Sequence, residues 1–218
     1  DQLTKTPSRS SSDVVAGITA DINQPYPSRL FTDAWWKYSI TGQDQLRQRL
    51  AFALSEIMVI SWANDSGPLT NRGRILADYY DQLIDYCLPT AGLADSGNFR
   101  GILKAVTLTP AMGKYLDMRA NQKGDVTIGR IPNENYAREI MQLFSIGIYR
   151  MWDDGRFVLG SDAGLIPTYS QPSIVGLANL LTGWHYAQAT LANGRAPTSF
   201  GPAEDQLNPM VLVPNYHE

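Results

Sequence analysis

Cysteine and histidine are scarce in this chain, and their scarcity excludes two ways of stabilising a fold. Cys87 is the only cysteine among 218 residues, so no intrachain disulfide can form. The two histidines, His185 and His217, belong to no His-x-x-x-His or Glu-x-x-His helical pair. A zinc site built from histidine and cysteine is therefore not expected, and the sequence indicates no cofactor.

Charge and long apolar runs are also sparse. Charged residues make up 18% of the chain and hydrophobic residues 44%, a composition that allows a sizeable buried core. The net charge is -3 and the sequence has no basic block, so nucleic acid is not an expected partner. No stretch approaches the ~18 consecutive apolar residues of a membrane-spanning helix, so no membrane span is expected.

Apolar residues at helical spacing predict a mainly α protein, a multi-helix single domain. The clearest helix is predicted over residues 44–61, where five apolar side chains would form one buried face: Leu46, Leu50, Leu54, Ile57 and Ile60. Other helices are predicted over residues 31–38, 75–88, 98–107, 109–119, 132–144 and 170–183. Asn98 and Thr109 are expected to cap two of them, and the helix 75–88 has one apolar side formed by Leu76, Tyr79, Leu83 and Tyr86. An Asp-Gly turn at Asp154 predicts one small β-hairpin near residues 151–158.

Composition also changes along the chain, which predicts three segments. Residues 1–30 begin with a polar stretch rich in serine and threonine and are expected to form a flexible N-terminal segment. Residues 31–185 carry the helical patterns and are expected to form a helical core domain. Residues 186–218 are rich in proline, glycine, asparagine and alanine, which predicts an irregular C-terminal segment.

The stretch 132–144 combines an apolar helical stripe with an unusual number of polar groups. Glu134 and Arg138 are four residues apart and can pair on the helix surface. Glu139 neighbours the apolar stripe, where it would lose hydration and favour its protonated form unless a cation lies close. Such a group can serve as a general acid or as one half of a structural ion pair.

A second carboxylate would have to come from another helix, since Glu134 and Glu139 project in different directions. Asp117 and Glu56 are the candidates, which gives four candidate catalytic residues: Glu139, Glu134, Asp117 and Glu56. In the alternative interpretation a set of charged residues forms buried or half-buried ion pairs that fix helix register: Arg49, Glu56, Asp117, Arg138 and Glu139.

Six further residues are candidates for ligand binding. Trp35 and Trp36 cannot both face one helix core, so one of them is expected to lie exposed, where a tryptophan can stack on a sugar ring; core packing is the alternative. His185 follows a predicted helix end, where the helix dipole alone would stabilise it. The candidate ligand-binding residues are Arg138, Asn135, Arg49, Tyr136, Trp36 and His185.

Several sequence blocks resemble a bacterial family known as domain of unknown function 1800. The blocks occur in order between about residues 43 and 185 and are long enough to be specific. They include Gln45-Leu46-Arg47-Gln48-Arg49, Ala53-Leu54-Ser55-Glu56-Ile57, Gly97-Asn98-Phe99-Arg100, Thr109-Pro110-Ala111-Met112-Gly113, the stretch 132–144, Ile166-Pro167-Thr168-Tyr169-Ser170-Gln171 and Thr182-Gly183-Trp184.

The resemblance implies a largely helical bacterial protein that is exported to the periplasm or secreted. It also implies a gene neighbour that encodes a sulfatase-like protein, a candidate partner. It implies no established reaction, so it assigns no catalytic residue. Relatives are about twice this long, so the chain is expected to be a partial or short member that continues beyond residue 218 in full-length relatives.

These observations leave three functional hypotheses open. The first is an exported hydrolase of the glycoside hydrolase type, acting on a polysaccharide or oligosaccharide through paired carboxylates. The second is a non-catalytic extracytoplasmic binding or assembly module that works with a sulfatase-like partner. The third is a metal-assisted enzyme that uses carboxylates and His185. The density of polar groups beside apolar stripes favours the hydrolase slightly.

Overall fold

The computed structural model describes residues 5, 7–9, 28–61, 73–187 and 207–218. Within these residues the protein is mainly α-helical, as predicted. The helices are α1 (Ser28–Thr41), α2 (Gln45–Ser55), α3 (Gly73–Tyr86), α4 (Phe99–Leu108), α5 (Pro110–Tyr115), α6 (Asn135–Gln142) and α7 (Gln171–Leu180). A two-stranded sheet consists of β1 (Trp184–His185) and β2 (Val211–Leu212), and a 3-10 turn covers Pro214–Tyr216.

The chain divides into two compact units. The first unit contains residues 1–115, 186–189 and 203–211, and the second contains residues 116–185, 190–202 and 212–218. Helices α1 to α5 belong to the first unit, and α6 and α7 belong to the second. Most of the predicted flexible segment 1–30 and part of the irregular segment 186–218 lie outside the described residues.

Helix α3 is the central element of the first unit, since it packs against α1, α2, α4 and α5. Its apolar side chains repeat at helical spacing, and Leu76, Tyr79 and Leu83 are buried, as the sequence pattern predicts. Ile84 on the same helix is also completely buried. This contiguous apolar face accounts for the position of α3 among the other helices.

The predicted buried face of α2 is wrong. Leu46 is 50% exposed and Ile57 is 48% exposed, whereas the buried residues of the helix are Arg47, Gln48 and Ala51. The helix also ends at Ser55, well before the predicted end at residue 61. Hydrophobic spacing therefore predicted the helix and misjudged the side that faces the core.

Hydrogen bonding explains why Arg47 is buried on α2. Its guanidinium donates to the carbonyl oxygens of Ile84 (2.8 Å) and Pro89 (3.1 Å) and to the hydroxyl of Thr90 (3.0 Å). The last carbonyls of a helix have no partner within the helix, so a cation that donates to them is favoured. Arg47 thus caps the C-terminal end of α3, and its hydrogen bonds offset the cost of removing the guanidinium charge from water.

Side-chain caps begin the next two helices as predicted. The Asn98 side chain accepts a hydrogen bond from the Gly101 amide at 2.8 Å, which satisfies one free donor at the start of α4. Thr109 accepts one from the Met112 amide at 3.3 Å at the start of α5. Helix α5 ends at Tyr115, earlier than the predicted residue 119, and Asp117 then takes a left-handed backbone conformation with φ 59°.

In the second unit α6 packs against α7. A small cluster of buried residues, Ala137, Ile174 and Ala178, forms the contact, with Met141 and Leu177 packed beside it. Helix α6 is shorter than the predicted 132–144, because it begins at Asn135 and ends at Gln142. The Asn133 side chain accepts a hydrogen bond from the Asn135 amide at 2.8 Å, so it caps the start of the helix.

The predicted hairpin is present as an irregular β arm in the second unit. An antiparallel bridge joins Met151 to Phe157, and further bridges join Tyr149 to Pro167 and Leu159 to Leu165. The turn closes with a hydrogen bond from the Gly155 amide to the Trp152 carbonyl at 2.9 Å. Across the described residues, no helix has both the length and the apolar character needed to cross a membrane.

Candidate functional site

The polar groups of α6 form a network that connects it to α7. Glu134 and Arg138 make the predicted ion pair at 2.9 Å, and the Gln171 amide donates to the same Glu134 oxygen at 2.9 Å. Arg138 also lies 3.4 Å from the Gln171 side-chain oxygen. A carboxylate that accepts from both a guanidinium and an amide of a neighbouring helix is well placed to link the two helices.

Glu139 and Tyr136 lie on the side of α6 that borders the core. One carboxylate oxygen of Glu139 is buried and has no hydrogen-bond partner among the described residues. Tyr136 is buried, with its ring centroid 6.3 Å from that of Phe144. Tyr136 therefore contributes to packing in the second unit.

Asp117, Asn135 and His185 also belong to the second unit. Asp117 is exposed, and its carboxylate lies 3.5 Å from the side-chain amide nitrogen of Asn135, the first residue of α6. His185 is buried, and its Nε2 lies 3.4 Å from Nη1 of Arg119. The histidine at the predicted helix end is thus enclosed beside a guanidinium.

The first unit contains a cluster of aromatic rings around Trp35. Its ring centroid lies 4.8 Å from that of Trp36, 5.7 Å from Phe52 and 6.4 Å from Tyr80. The Trp35 and Trp36 rings meet edge to face at 72°, one of the arrangements that aromatic pairs prefer. Because Trp35 fills the space between α2 and α3, Trp36 points outward and is 55% exposed, as the sequence suggested.

Two cavities adjoin the exposed Trp36 ring. The larger has a volume of about 330 Å³, and the smaller has a volume of about 220 Å³. The larger is lined by Phe31, Thr32, Trp35, Trp36, Phe52, Ser55, Glu56, Val59, Ile60, Leu76, Tyr79 and Tyr80. The smaller is lined by Trp35, Trp36, Ser39, Ile40, Gln48, Arg49 and Phe52. We call them together the aromatic cavities; their lining resembles that of small-molecule sites, apolar with a few polar groups.

Tyr80 is one of the residues that line the larger cavity, and its hydroxyl is buried. The side chain is 5% exposed, and among the described residues its buried hydroxyl makes no hydrogen bond of full geometry, although the Trp35 side chain interacts with it. Burial penalises the phenolate and raises the pKa of Tyr80 to about 12, so the hydroxyl stays protonated near neutral pH. A buried hydroxyl that lacks a full hydrogen bond costs free energy.

The structure groups the predicted site residues by unit. Trp36, Glu56 and Arg49 line the aromatic cavities of the first unit. The other seven belong to the second unit: Asp117, Glu134, Asn135, Tyr136, Arg138, Glu139 and His185. Among the described residues, one ion pair joins two predicted site residues, Glu134 with Arg138, as their four-residue spacing predicted.

Sequence reasoning missed the remaining walls of the cavities and one partner in the α6 network. The adjacent pairs Trp35-Trp36 and Tyr79-Tyr80 were the available signal for an aromatic cluster. Gln171 follows Ser170 at the start of α7, and nothing in its local pattern distinguishes a partner of Glu134 from an ordinary first-turn residue. Such a contact depends on how α6 and α7 pack.

These features define a mainly α-helical protein with ligand-sized cavities in its first unit and an interhelical polar network in its second. The chain belongs to the family described as "Protein of unknown function (DUF1800)", whose family model matches residues 9–217. Comparison with curated proteins and with solved structures gives no match.

Proposed function

We propose that this protein is a non-catalytic carbohydrate-binding module that binds through the aromatic cavities of its first unit. The observation that carries the proposal is the exposed ring of Trp36, which lies between the two cavities. A solvent-exposed tryptophan beside apolar cavities is a costly arrangement for folding alone, since its apolar surface remains in contact with water.

The chemistry of the cavity walls suits a sugar. A pyranose ring has apolar C–H faces and a rim of hydroxyl groups, so it requires a flat apolar surface with hydrogen-bonding groups around it. The Trp36 ring offers the surface, and Arg49 and Gln48 line the smaller cavity. Glu56 offers carboxylate acceptors in the larger one.

A hydrolase acting on the same substrates is the alternative, and the arrangement of carboxylates supports it less well. Glycoside hydrolysis requires two carboxyl groups roughly 5 to 9.5 Å apart across a cleft. Glu56 is the one acidic residue among the described lining residues of the larger cavity. Glu134 is already held by Arg138 and Gln171. A single carboxylate among the described lining residues of the cavity supports binding more directly than hydrolysis.

Location and partner are proposed on the family resemblance alone. We expect the module to act outside the cytoplasm of a bacterium, in the periplasm or secreted, and to work with a sulfatase-like protein. Cell fractionation of the native host with an antibody against the chain would test the first expectation. Recovery of the chain in the cytoplasmic fraction would contradict it.

The binding proposal can be tested by electrophoresis through gels that contain a panel of neutral and acidic polysaccharides. We expect at least one polysaccharide to retard the wild-type protein, and Trp36→Ala to weaken that retention at least about tenfold. Trp152→Ala is the matched control, because Trp152 is 60% exposed but lies in the second unit. Equal retention of the wild type and Trp36→Ala would contradict the proposal.

The hydrolase alternative can be tested with the same polysaccharides by measuring newly formed reducing ends. The binding proposal predicts no release from the wild type or from Glu56→Gln. Release that is present in the wild type and lost in Glu56→Gln would replace the binding proposal with the hydrolase.

A further inference from the structure

The second unit contains a polar pocket of about 300 Å³ whose residues differ in character from the aromatic cavities. Its lining consists of Asp117, Arg119, Ala120, Asn121, Gln122, Arg130, Ile131 and Asn133. Two guanidinium groups, one carboxylate and three side-chain amides thus surround a volume that suits a small polar ligand. We call it the arginine pocket.

Asn121 fixes the shape of the arginine pocket. Its side-chain amide donates to the Asn133 carbonyl at 3.0 Å, and its side-chain oxygen accepts from the Asn133 amide at 2.8 Å. The Asn121 carbonyl accepts from the Gly183 amide at 2.7 Å, and the Ala120 amide donates to the Trp184 carbonyl at 2.8 Å. The bonds between Asn121 and Asn133 fix the distance between two walls of the pocket, so the pocket is preformed.

Ala120 has a left-handed backbone with φ 62°, three residues after Asp117 with φ 59°. Left-handed geometry is unfavourable for residues with a Cβ atom, and alanine has no side-chain hydrogen bond to offset it. Strained residues of this kind persist where surrounding contacts over-determine the backbone, and they concentrate at binding sites.

Two hydrogen bonds orient the Arg130 guanidinium and leave some of its N–H donors for a ligand. Its Nε donates to the Lys123 carbonyl at 2.9 Å, and its Nη1 donates to the Gln122 side-chain oxygen at 2.6 Å. Its Nη2 lies 3.8 Å from Asp125, a long contact. A guanidinium has five N–H donors in a planar fork, so about three remain for a ligand. Hydrogen bonds from the Thr127 hydroxyl and amide hold the pKa of Asp125 below its usual range, which keeps this partner of Arg130 ionised.

The charges of the pocket indicate the chemical class of the ligand. Two guanidinium groups and one carboxylate give the lining a net charge of about +1, and planar guanidinium forks match the geometry of a carboxylate. Asp117 would repel a bare anion, but its carboxylate can accept a hydrogen bond from a hydroxyl. A ligand with a carboxylate and a neighbouring hydroxyl can therefore bind the guanidinium groups with the carboxylate and Asp117 with the hydroxyl.

We propose that the arginine pocket binds a hydroxylated carboxylate, with the carboxylate against Arg119 and Arg130 and a hydroxyl against Asp117. A uronic acid unit of a saccharide and a small free hydroxy acid share this chemistry. The proposal does not depend on the aromatic cavities, which belong to the first unit.

The test is titration of the ¹⁵N-labelled full chain with four probes, read from the amide signals of residues 117–133. Glucuronate and lactate carry both groups, acetate lacks the hydroxyl and glucose lacks the carboxylate. We expect glucuronate to bind with a dissociation constant of about 1 mM, a typical affinity for about thirteen non-hydrogen atoms. Lactate will bind if small hydroxy acids are accepted, and glucuronate alone will bind if the pocket requires a sugar ring.

Two variants test the assigned contacts. Arg130→Lys keeps the charge but loses the planar fork, so affinity for glucuronate should fall about tenfold. Asp117→Gly removes the side chain at a position where the left-handed backbone suits glycine, and it should abolish the preference for hydroxylated carboxylates over acetate. Arg156→Gln is the control, because Arg156 lies on the β arm with its side chain 80% exposed, and it should bind as the wild type does.

Three results would overturn the proposal. The first is that neither glucuronate nor lactate shifts these signals at 20-fold excess over the expected dissociation constant, about 20 mM. The second is that glucose or acetate binds as tightly as glucuronate. The third is that Arg130→Lys, with a wild-type spectrum elsewhere, binds glucuronate with unchanged affinity.

Discussion

Replacing Arg47 with methionine is expected to destabilise the first unit strongly. The side chain is 1% exposed and makes three hydrogen bonds between 2.8 and 3.1 Å, with a fourth, longer contact to the Leu88 carbonyl at 3.4 Å. Hydrogen bonds to a charged group contribute about 1.5 to 3 kcal/mol each. Methionine fills similar space but leaves the C-terminal carbonyls of α3 without a donor.

The net loss is smaller than the sum of the three bonds. Methionine avoids the cost of burying a charge, and contributions from bonds that share one side chain are not additive. We therefore expect a loss of about 3 kcal/mol in the free energy of unfolding. For a chain of this size that corresponds to a midpoint of thermal unfolding lower by roughly 6 to 12 °C.

Thermal unfolding followed by far-ultraviolet circular dichroism measures this difference. Arg49→Met is the matched control, because Arg49 lies two residues away on the same helix and is exposed. Its midpoint should change by less than about 2 °C, since exposed substitutions rarely exceed 0.5 kcal/mol. Equal decreases in the unfolding midpoint for the two variants would refute the assignment of Arg47 as the residue that caps the C-terminus of α3.

Three further predictions follow from the described contacts. Burial raises the pKa of Cys87 to about 11, so its thiol should not react with a disulfide reagent at pH 8 until the protein is unfolded in denaturant; prompt reaction of the native protein would contradict this. Tyr80→Phe removes a buried hydroxyl that lacks a full hydrogen bond and should stabilise the protein by up to about 1 kcal/mol at neutral pH, measured by urea unfolding. The pKa of Tyr80 is raised to about 12 in the folded protein, whereas an unfolded tyrosine ionises near pH 10, so the wild type should lose stability between about pH 10 and 12 and Tyr80→Phe should lose less over that range. Arg138→Ala should cost less than about 1 kcal/mol, because the Glu134–Arg138 pair is partly exposed; a loss above 2 kcal/mol by urea unfolding would show that the α6 network matters more than its exposure indicates.

Local signals in the sequence predicted the helices more accurately than the faces that they bury. Asn98 and Thr109 were predicted as caps because a cap depends on the few residues that follow it, and both caps are present. The spacing of Leu76 and Leu83 predicted that they lie on one apolar side of α3. Both are buried, because α3 has neighbouring helices on that side. In these cases the local pattern and the tertiary packing agree.

The prediction for α2 failed because the environment of Arg47 is set by another helix. Its acceptors come from residues 84–90, about forty positions along the chain, and no local pattern reveals them. The hydrogen bonds of the Arg47 guanidinium also determine which side of α2 faces α3. Leu46 lies on another side and is therefore half-exposed.

The candidate site was predicted in part. The stretch 132–144 was expected to carry the chemistry, and its Glu134–Arg138 pair is present, but the pair links α6 to α7 through Gln171. One of Trp35 and Trp36 was predicted to be exposed because two adjacent tryptophans cannot share one core face, and the structure shows that the exposed one is Trp36. The cavities beside Trp36 require α1, α2 and α3 to pack together, so they could be identified only in the folded chain.

The central claim is that a saccharide binds at the Trp36 ring. The five tryptophans give five indole N–H signals in an ¹⁵N-correlated spectrum, and Trp35→Phe, Trp36→Phe and Trp152→Phe variants assign three of them. Titration with an oligosaccharide of the polysaccharide that retards the protein should shift the Trp35 and Trp36 signals in proportion to occupancy, while the Trp152 signal stays fixed. A shift of the Trp152 signal without any change at Trp35 or Trp36 would contradict the claim.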